Sequence, residues 1–393
     1  MAQSGLVSYP PAIVSPPRIL ILTASVGEGH DAPTRTLSAQ LRRECPDVEI
    51  LAEDALAVMG RTVRVFSERA PRLMFFRGEW LWDFGYAITA RFGPTRRMSQ
   101  ALLVRLATDG LLGLITTHQP DVVVSLFPQS TEVLGRLRRR GRLRTPLVAA
   151  VTDLAGLWYW ATPGADIHLV THPESIPEVR ALSGPVADVH CVHGFTTPEF
   201  LEPRRRDDAR RARSLPVEGK IAIVSGGGWG VGRIAEALDV CLAQPGVDLV
   251  ACLCGRNDDL RGRLTKRYLG EPRVRVEGFT DQMSDWLAAT DVLVHSTGGL
   301  TMLEAQMRGC PAISYGWGRG HIRLHNEAFR RFGLVRVADT EVELAAALQD
   351  ALSAPRVVSF DFAALPSAAS IVLSRAGWSP TQMPEPRSSA SRR

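Results

Sequence analysis

Twelve short apolar runs of strand length alternate with helical patterns along the chain, and this alternation constrains the fold more than any other feature. The first six runs lie near 18–23, 48–52, 121–126, 147–152, 167–171 and 188–192. The second six lie near 221–225, 248–254, 273–277, 291–295, 311–315 and 334–338. Strands separated by helical stretches need crossover connections, so they pair in parallel. Between the two series, 196–213 holds Pro198, Pro203 and the mixed-charge run Arg204-Arg205-Arg206-Asp207-Asp208, a linker composition. The expectation is α/β, with two Rossmann-like doubly wound domains, 18–195 and 214–355, facing each other across a cleft. A chain of 393 residues with 45% hydrophobic content is long enough for two such cores. Residues 1–17 are rich in Pro and Ser and lack a charged start and a long apolar centre. They read as a disordered leader, and 379–393 as a disordered tail.

Two glycine-rich turns follow strands of the second series. Asp291-Val292-Leu293-Val294-His295 runs into Ser296-Thr297-Gly298-Gly299, and then into a helix carrying Thr301 and Glu304. A loop without side chains lets a diphosphate approach the backbone, and a helix N-terminus offers it free N–H groups. A glutamate one turn in can accept hydrogen bonds from ribose hydroxyls. The other reading is an ordinary crossover with a solvent-facing Glu. The second turn, Gly226 to Gly232, follows 221–224 and includes Gly227 and Gly228. Its spacing is not a strict G-x-G-x-x-G, and no acid ends the next strand, which argues against a nicotinamide dinucleotide.

In the first series, Arg18-Ile19-Leu20-Ile21-Leu22-Thr23 leads through a glycine turn to His30. A helix is expected over 33–44, with Asp31 as N-cap and Pro33 in its first turn. That places His30 at the C-terminal edge of a sheet, where open α/β sheets bind ligands. Imidazole there is a candidate general base; a capping or packing histidine is the alternative.

Together these segments resemble the diacylglycerol glycosyltransferases, the family of monogalactosyldiacylglycerol synthase and processive diacylglycerol glucosyltransferase. They also resemble the related N-acetylglucosaminyltransferase of the peptidoglycan lipid precursor. The resemblance rests on ILILTASVGEGHDAPTRTL at 19–37, VTDL at 151–154, VHGFTTPEF at 192–200, SGGGWGVG at 225–232, and the long segment 277–313. It covers most of 18–340 and is weakest at about 60–115. It implies the two-domain GT-B architecture, with a terminal helix in 356–378 crossing back onto the first domain. It also implies an inverting transfer of a hexose from a UDP-sugar to a lipid acceptor such as diacylglycerol. The UDP-sugar is then a co-substrate, and no cofactor is needed. Uracil is expected near Phe279 and Thr280, ribose at Glu304, and the diphosphate at Gly298, Gly299 and Thr301, with Gly227 and Gly228 nearby. His30 is the expected base, and Asp153 orients it or balances its charge; the alternative for Asp153 is a helix N-cap. Family members read the donor sugar with a Gln or Glu and a later Asn. Here Asn326 fits the Asn, but His321 stands where the acid or amide is expected, which leaves the sugar open.

The stretch from Phe75 to Tyr86 holds Trp80, Trp82 and Phe84, followed by Arg96 and Arg97. Aromatics flanked by arginines suit a membrane interface, and a packed aromatic helix is the alternative. No transmembrane run is expected, because the apolar runs are strand-sized. The expected location is the cytoplasm, peripheral on an anionic inner membrane face. All but two of the 46 basic residues are arginine, and the net charge is +5; with no nucleic-acid motif beside them, no nucleic-acid partner is expected. The six cysteines form no C-x-x-C pair and read as reduced core residues. A soluble acceptor, or an epimerase or nucleotide-sugar-binding protein on the same fold, stays open at this point.

The chain contains no D-x-D, the motif that holds a divalent ion under a donor diphosphate in other glycosyltransferases. Backbone N–H groups, a helix dipole and hydroxyls must then meet the leaving-group charge. Transfer is predicted to persist in EDTA. Full loss in chelator, restored by magnesium or manganese, is the contrary outcome.

Overall fold

The computed structural model describes residues 15–24, 28–65, 93–185, 187–318 and 320–378. Trp80, Trp82 and Phe84 lie outside these, as do the side chains of Arg96 and His321. All twelve expected strands are present. The first sheet has the order β2-β1-β3-β4-β5-β6. Its strands are β1 Arg18–Thr23, β2 Glu49–Asp54, β3 Val122–Ser125, β4 Leu147–Val151, β5 Ile167–Val170 and β6 Asp188–Cys191. The second has the order β12-β11-β10-β7-β8-β9. Its strands are β7 Ile221–Ser225, β8 Leu249–Leu253, β9 Val274–Glu277, β10 Val292–His295, β11 Ala312–Tyr315 and β12 Arg336–Ala338. Every ladder is parallel. Helices cover both faces, which is why β1, β3, β4 and β7 are apolar at almost every position and, apart from Arg18, buried throughout.

The chain turns back across each sheet at one place. In the first it lies between β1 and β3, and in the second between β7 and β10. Open α/β sheets leave a crevice at such points, beyond the C-terminal strand ends. The segment carrying His30 follows β1, and the two glycine turns follow β7 and β10, so topology alone brings all three to these crevices.

Three elements differ from the sequence expectation. The helix after β1 spans Glu28–Glu44, so His30 lies inside its first turn, and neither Asp31 nor Pro33 marks its start. Pro33 sits in its second turn, where the missing N–H leaves the Gly29 carbonyl without an intrahelical donor. The charged stretch 196–213 contains the helix Arg206–Ala212, which packs on the second domain. Finally, Arg97–His118, within the helix Gly93–His118, is long and apolar enough to cross a membrane by length and composition. Val104, Ala107, Leu111 and Ile115 on its inner face pack into the core of the first domain. The terminal helix Ala368–Arg375 also packs on the first domain, its Ala369, Val372 and Leu373 sharing a core with Ile19, Leu37 and Val124.

The helix Arg206–Ala212 is tied down by a buried ion pair. The Arg210 guanidinium, fully buried, donates to Asp291 Oδ2 at 2.8 Å, to the Ala289 carbonyl at 2.8 Å and to the Val217 carbonyl at 2.6 Å. Asp291 also accepts from the Ile221 amide at the start of β7. Removing one partner of such a pair strands a buried charge. Asp291→Ala is predicted to cost about 3–5 kcal/mol, read as a lower urea midpoint for the second domain. An unchanged midpoint contradicts this role.

Candidate active site

On the first domain, His30 is half-buried behind β1. Its Nδ1 lies 2.9 Å from the Leu126 carbonyl, which follows β3 on the other side of the switch point. A carbonyl only accepts, so Nδ1 carries the proton and the lone pair stays on Nε2. Phe127 meets the ring edge-on at 5.5 Å, and Trp160 lies 6.0 Å away. Burial in this aromatic slot pulls the imidazole below its ordinary value, opposed by the charge of Asp153, the Leu126 bond and Asp31. The ring is therefore neutral near pH 7, the state a general base needs.

Asp153 follows β4. Its Oδ2 accepts the Trp160 indole N–H at 2.9 Å. It does not cap the next helix, Leu157–Trp160, whose N-cap is Gly156 with no side-chain bond. The Leu126 carbonyl orients the His30 ring, and Asp153 acts on it through charge. Neither Leu126 nor Trp160 was singled out from sequence; the order of β1 and β3 in the sheet is what makes Leu126 a neighbour of His30.

On the second domain, both glycine turns meet at the β7/β10 switch point. Gly227 faces Thr297, whose hydroxyl is 2.9 Å from His295 Nε2, and Ser296 donates to the Val231 carbonyl. The Gly228 carbonyl accepts from the Arg256 amide at 2.8 Å. Gly298 packs closely on His325: a Cβ there would lie 3.0 Å from that side chain. Gly299 has φ +80° and opens on empty space, and it begins the helix Leu300–Met307 without a side-chain cap. The amides of that first turn are thus open for an anion. Thr301 stands half-buried in the same turn.

Glu304 is half-buried one turn further on. No hydrogen bond or ion pair to its carboxyl is made by the described residues, and burial alone pushes it up to about 8. A half-buried carboxyl left without a partner needs an external donor. Phe279 is exposed, and the Arg256 guanidinium stacks on its ring at 3.8 Å. Thr280 Oγ1 accepts from the Gln282 amide at 3.0 Å. Asn326 is buried, with its Oδ1 accepting from Ser314 at 2.7 Å. Arg233 pairs with Glu236 at 2.8 Å and donates to the Asp339 carbonyl.

The two halves meet directly. His325, on the helix Gly320–Phe332, places Nε2 3.6 Å from Asp153 Oδ1. Leu154 of the first domain is buried in a core it shares with Leu303 and Phe329 of the second. His30 and the Gly298 turn are therefore joined through Trp160, Asp153 and His325.

Residues 30–184 match the family described as monogalactosyldiacylglycerol (MGDG) synthase, and residues 228–354 match glycosyl transferases group 1. The chain is 22% identical over 333 residues to the processive diacylglycerol beta-glucosyltransferase of Staphylococcus epidermidis ATCC 12228, covering 83% of this chain and 82% of that protein. It is 23% identical to the Staphylococcus aureus MRSA252 enzyme of that name, with the same coverage. Among solved structures it is similar to MurG of Acinetobacter baumannii, with a TM-score of 0.56, 15% identity, and coverage of 92% of this chain and 99% of that one. It is also similar to the spinosyn rhamnosyltransferase SpnG, with a TM-score of 0.57, 12% identity, and coverage of 91% and 99%. These structures share the paired parallel sheets. The chain is therefore a glycosyltransferase enzyme of the GT-B architecture, with an MGDG synthase domain in its N-terminal half.

Proposed function

We propose that this enzyme moves a hexose from a UDP-sugar to the hydroxyl of a lipid, diacylglycerol, with inversion at the anomeric carbon and without a metal ion. One observation carries the reading: His30, its Nδ1 bonded to the Leu126 carbonyl, follows the switch point of one sheet, and Glu304, without a partner among the described residues, stands at an uncapped helix N-terminus beyond the switch point of the other. Glu304 accepts from the ribose hydroxyls, and the turn at Gly298, Gly299 and Thr301 receives the diphosphate. The acceptor hydroxyl enters from the first domain. His30 Nε2 takes its proton while the oxygen attacks the anomeric carbon from the face opposite UDP. The C–O bond to UDP breaks, and its electrons go to the β-phosphate oxygen, which the turn amides and the helix dipole stabilise.

Two facts support a lipid acceptor. The curated relatives are named diacylglycerol glucosyltransferases. The long first-domain helix also exposes Met98, Leu102 and Leu106 at four-residue spacing, beside exposed Arg97 and Arg105. An apolar stripe flanked by arginines suits an anionic membrane surface, so we place the enzyme on the cytoplasmic face as a peripheral protein.

The direct test supplies vesicles containing diacylglycerol with UDP-glucose or UDP-galactose, and reads UDP release and glycosyldiacylglycerol by mass spectrometry. His30→Ala is predicted to lower kcat by about 10²–10⁴-fold with unchanged UDP affinity and melting temperature. UDP release only with soluble acceptors overturns the lipid assignment, and a near-normal kcat in a folded His30→Ala overturns the base.

Glu304 has its own pH signature. In the folded protein it keeps its proton up to about pH 8, whereas its ordinary value is 4.5. The folded state holds the extra proton between those values, so its stability falls as pH rises through that window and then levels. Ribose binding to the carboxylate requires that proton to leave. Affinity for UDP-glucose is therefore predicted to rise toward pH 8, at most about tenfold per unit, and to be flat in Glu304→Gln. Calorimetry showing a flat wild-type profile rejects the ribose contact.

A further inference from the structure

The edge of the second sheet away from the glycine turns carries a cationic pocket of about 410 Å³. Lys220 immediately precedes β7 and Asp291 immediately precedes β10. The five residues of β7, at roughly 3.3 Å each, therefore separate this pocket from the diphosphate crevice. Arg206, Lys220, Asp291 and Arg356 line it, and Leu352 and Pro355, at and beyond the end of the helix Glu341–Ser353, give it an apolar wall.

The cations share one carboxylate. Asp291 Oδ2 accepts from the buried Arg210 at 2.8 Å, and Oδ1 accepts from Arg206 Nη1 at 3.1 Å. Lys220 Nζ stands 3.7 Å from that Oδ1, beyond hydrogen-bond length. Its ammonium makes no hydrogen bond to the described residues, and its side chain is 45% exposed. Arg356 pairs with no carboxylate among the described residues. Its guanidinium donates to the carbonyls of Leu287, Ala288 and Arg308 at 2.9, 3.0 and 2.9 Å, and to that of Thr290. Crowding is felt at Arg210. Burial pulls its guanidinium below the ordinary value, Asp291 and Asp207 oppose this, and Arg206 and Arg356 add to it. Asp248 accepts from the Lys220 amide, and Asp350 pairs with Arg336. The carbonyl end of the helix Glu341–Ser353 contributes about half a negative charge, which still leaves the pocket positive.

We propose that this pocket binds a phosphate group, with Lys220 and Arg206 as its donors, in a ligand whose apolar part rests on Leu352 and Pro355. Arg206 uses one nitrogen on Asp291 and keeps the rest of its fork for an anion. A phosphate matches an ammonium and a guanidinium side by side. It meets the donors that Asp291 leaves unbonded, and it offsets the repulsion among four cations. The site lies at the opposite sheet edge from the transfer reaction and does not depend on it. The phosphate belongs either to a soluble metabolite or to a lipid headgroup.

The chain contains only two lysines, Lys220 and Lys266, which makes the test specific. The full chain is labelled with 13C at lysine Cε and titrated with inorganic phosphate. The Lys220 signal, assigned by its loss in Lys220→Gln, is expected to move saturably while that of Lys266 stays in place. If Lys220→Gln does not fold, Lys266→Gln gives the same assignment. Arg206→Gln is expected to weaken the phosphate midpoint by about tenfold to a hundredfold, the effect of losing one charged hydrogen-bonding partner. A Lys220 signal that moves no further than that of Lys266, or as far with chloride at matched ionic strength, overturns the site. A folded Arg206→Gln with the wild-type midpoint overturns it as well. Sedimentation with phosphatidylglycerol vesicles then separates the two sources. Weaker sedimentation of Lys220→Gln than of wild type assigns the phosphate to a lipid headgroup, and equal sedimentation assigns it to a soluble phosphorylated ligand.

Discussion

Parallel strand pairing is the constraint on which everything else here depends. A parallel pair cannot be closed by a tight turn, so each strand must be followed by a crossover that packs a helix on the sheet. Both faces are then buried, and all C-terminal strand ends point to one edge. The two sheets, each reversing its strand order once, therefore each make one crevice, between β1 and β3 and between β7 and β10. His30 and the glycine turns need no special loop to reach these crevices. Strand order delivers them there.

The twelve strands were legible because doubly covered parallel strands read as short apolar runs, and their helices separate them cleanly. The glycine turns and Glu304 were legible because a strand–glycine–helix passage is a local pattern. What escaped was non-local. The Leu126 carbonyl orients His30 across 96 positions of chain, a relation visible only once β1 and β3 are adjacent. His325 pairs with Asp153 because two domains meet, and nothing near either residue announces it. The charged segment after Pro203 looked solvated, yet Arg210 is wholly buried because Asp291 lies beneath it. The start of the helix at Glu28 ran against the usual meaning of Pro33, which lies in the second turn.

Burial acts in opposite senses on the two sides of the cleft. It disfavours charge on both groups, so it lowers the imidazole of His30 and raises the carboxyl of Glu304. Near pH 7 His30 is then neutral and Glu304 protonated. A nucleotide diphosphate then meets open amides and a helix dipole with no fixed anion facing it. Desolvation keeps the proton on Glu304 below about pH 8, so under the proposed ribose contact it opposes filling the site at lower pH.

The same physics explains why a single aspartate at the domain interface has leverage. A charge exerts its largest effect where the surroundings are dry, and Asp153 sits between an aromatic slot formed by Phe127 and Trp160 and a buried histidine of the other domain. Neither domain alone encloses it. Parting the domains by a few ångströms would admit water on the His325 side and screen the carboxylate from His30. The electrostatic setting of His30 is then a property of both domains together, not of the first domain by itself.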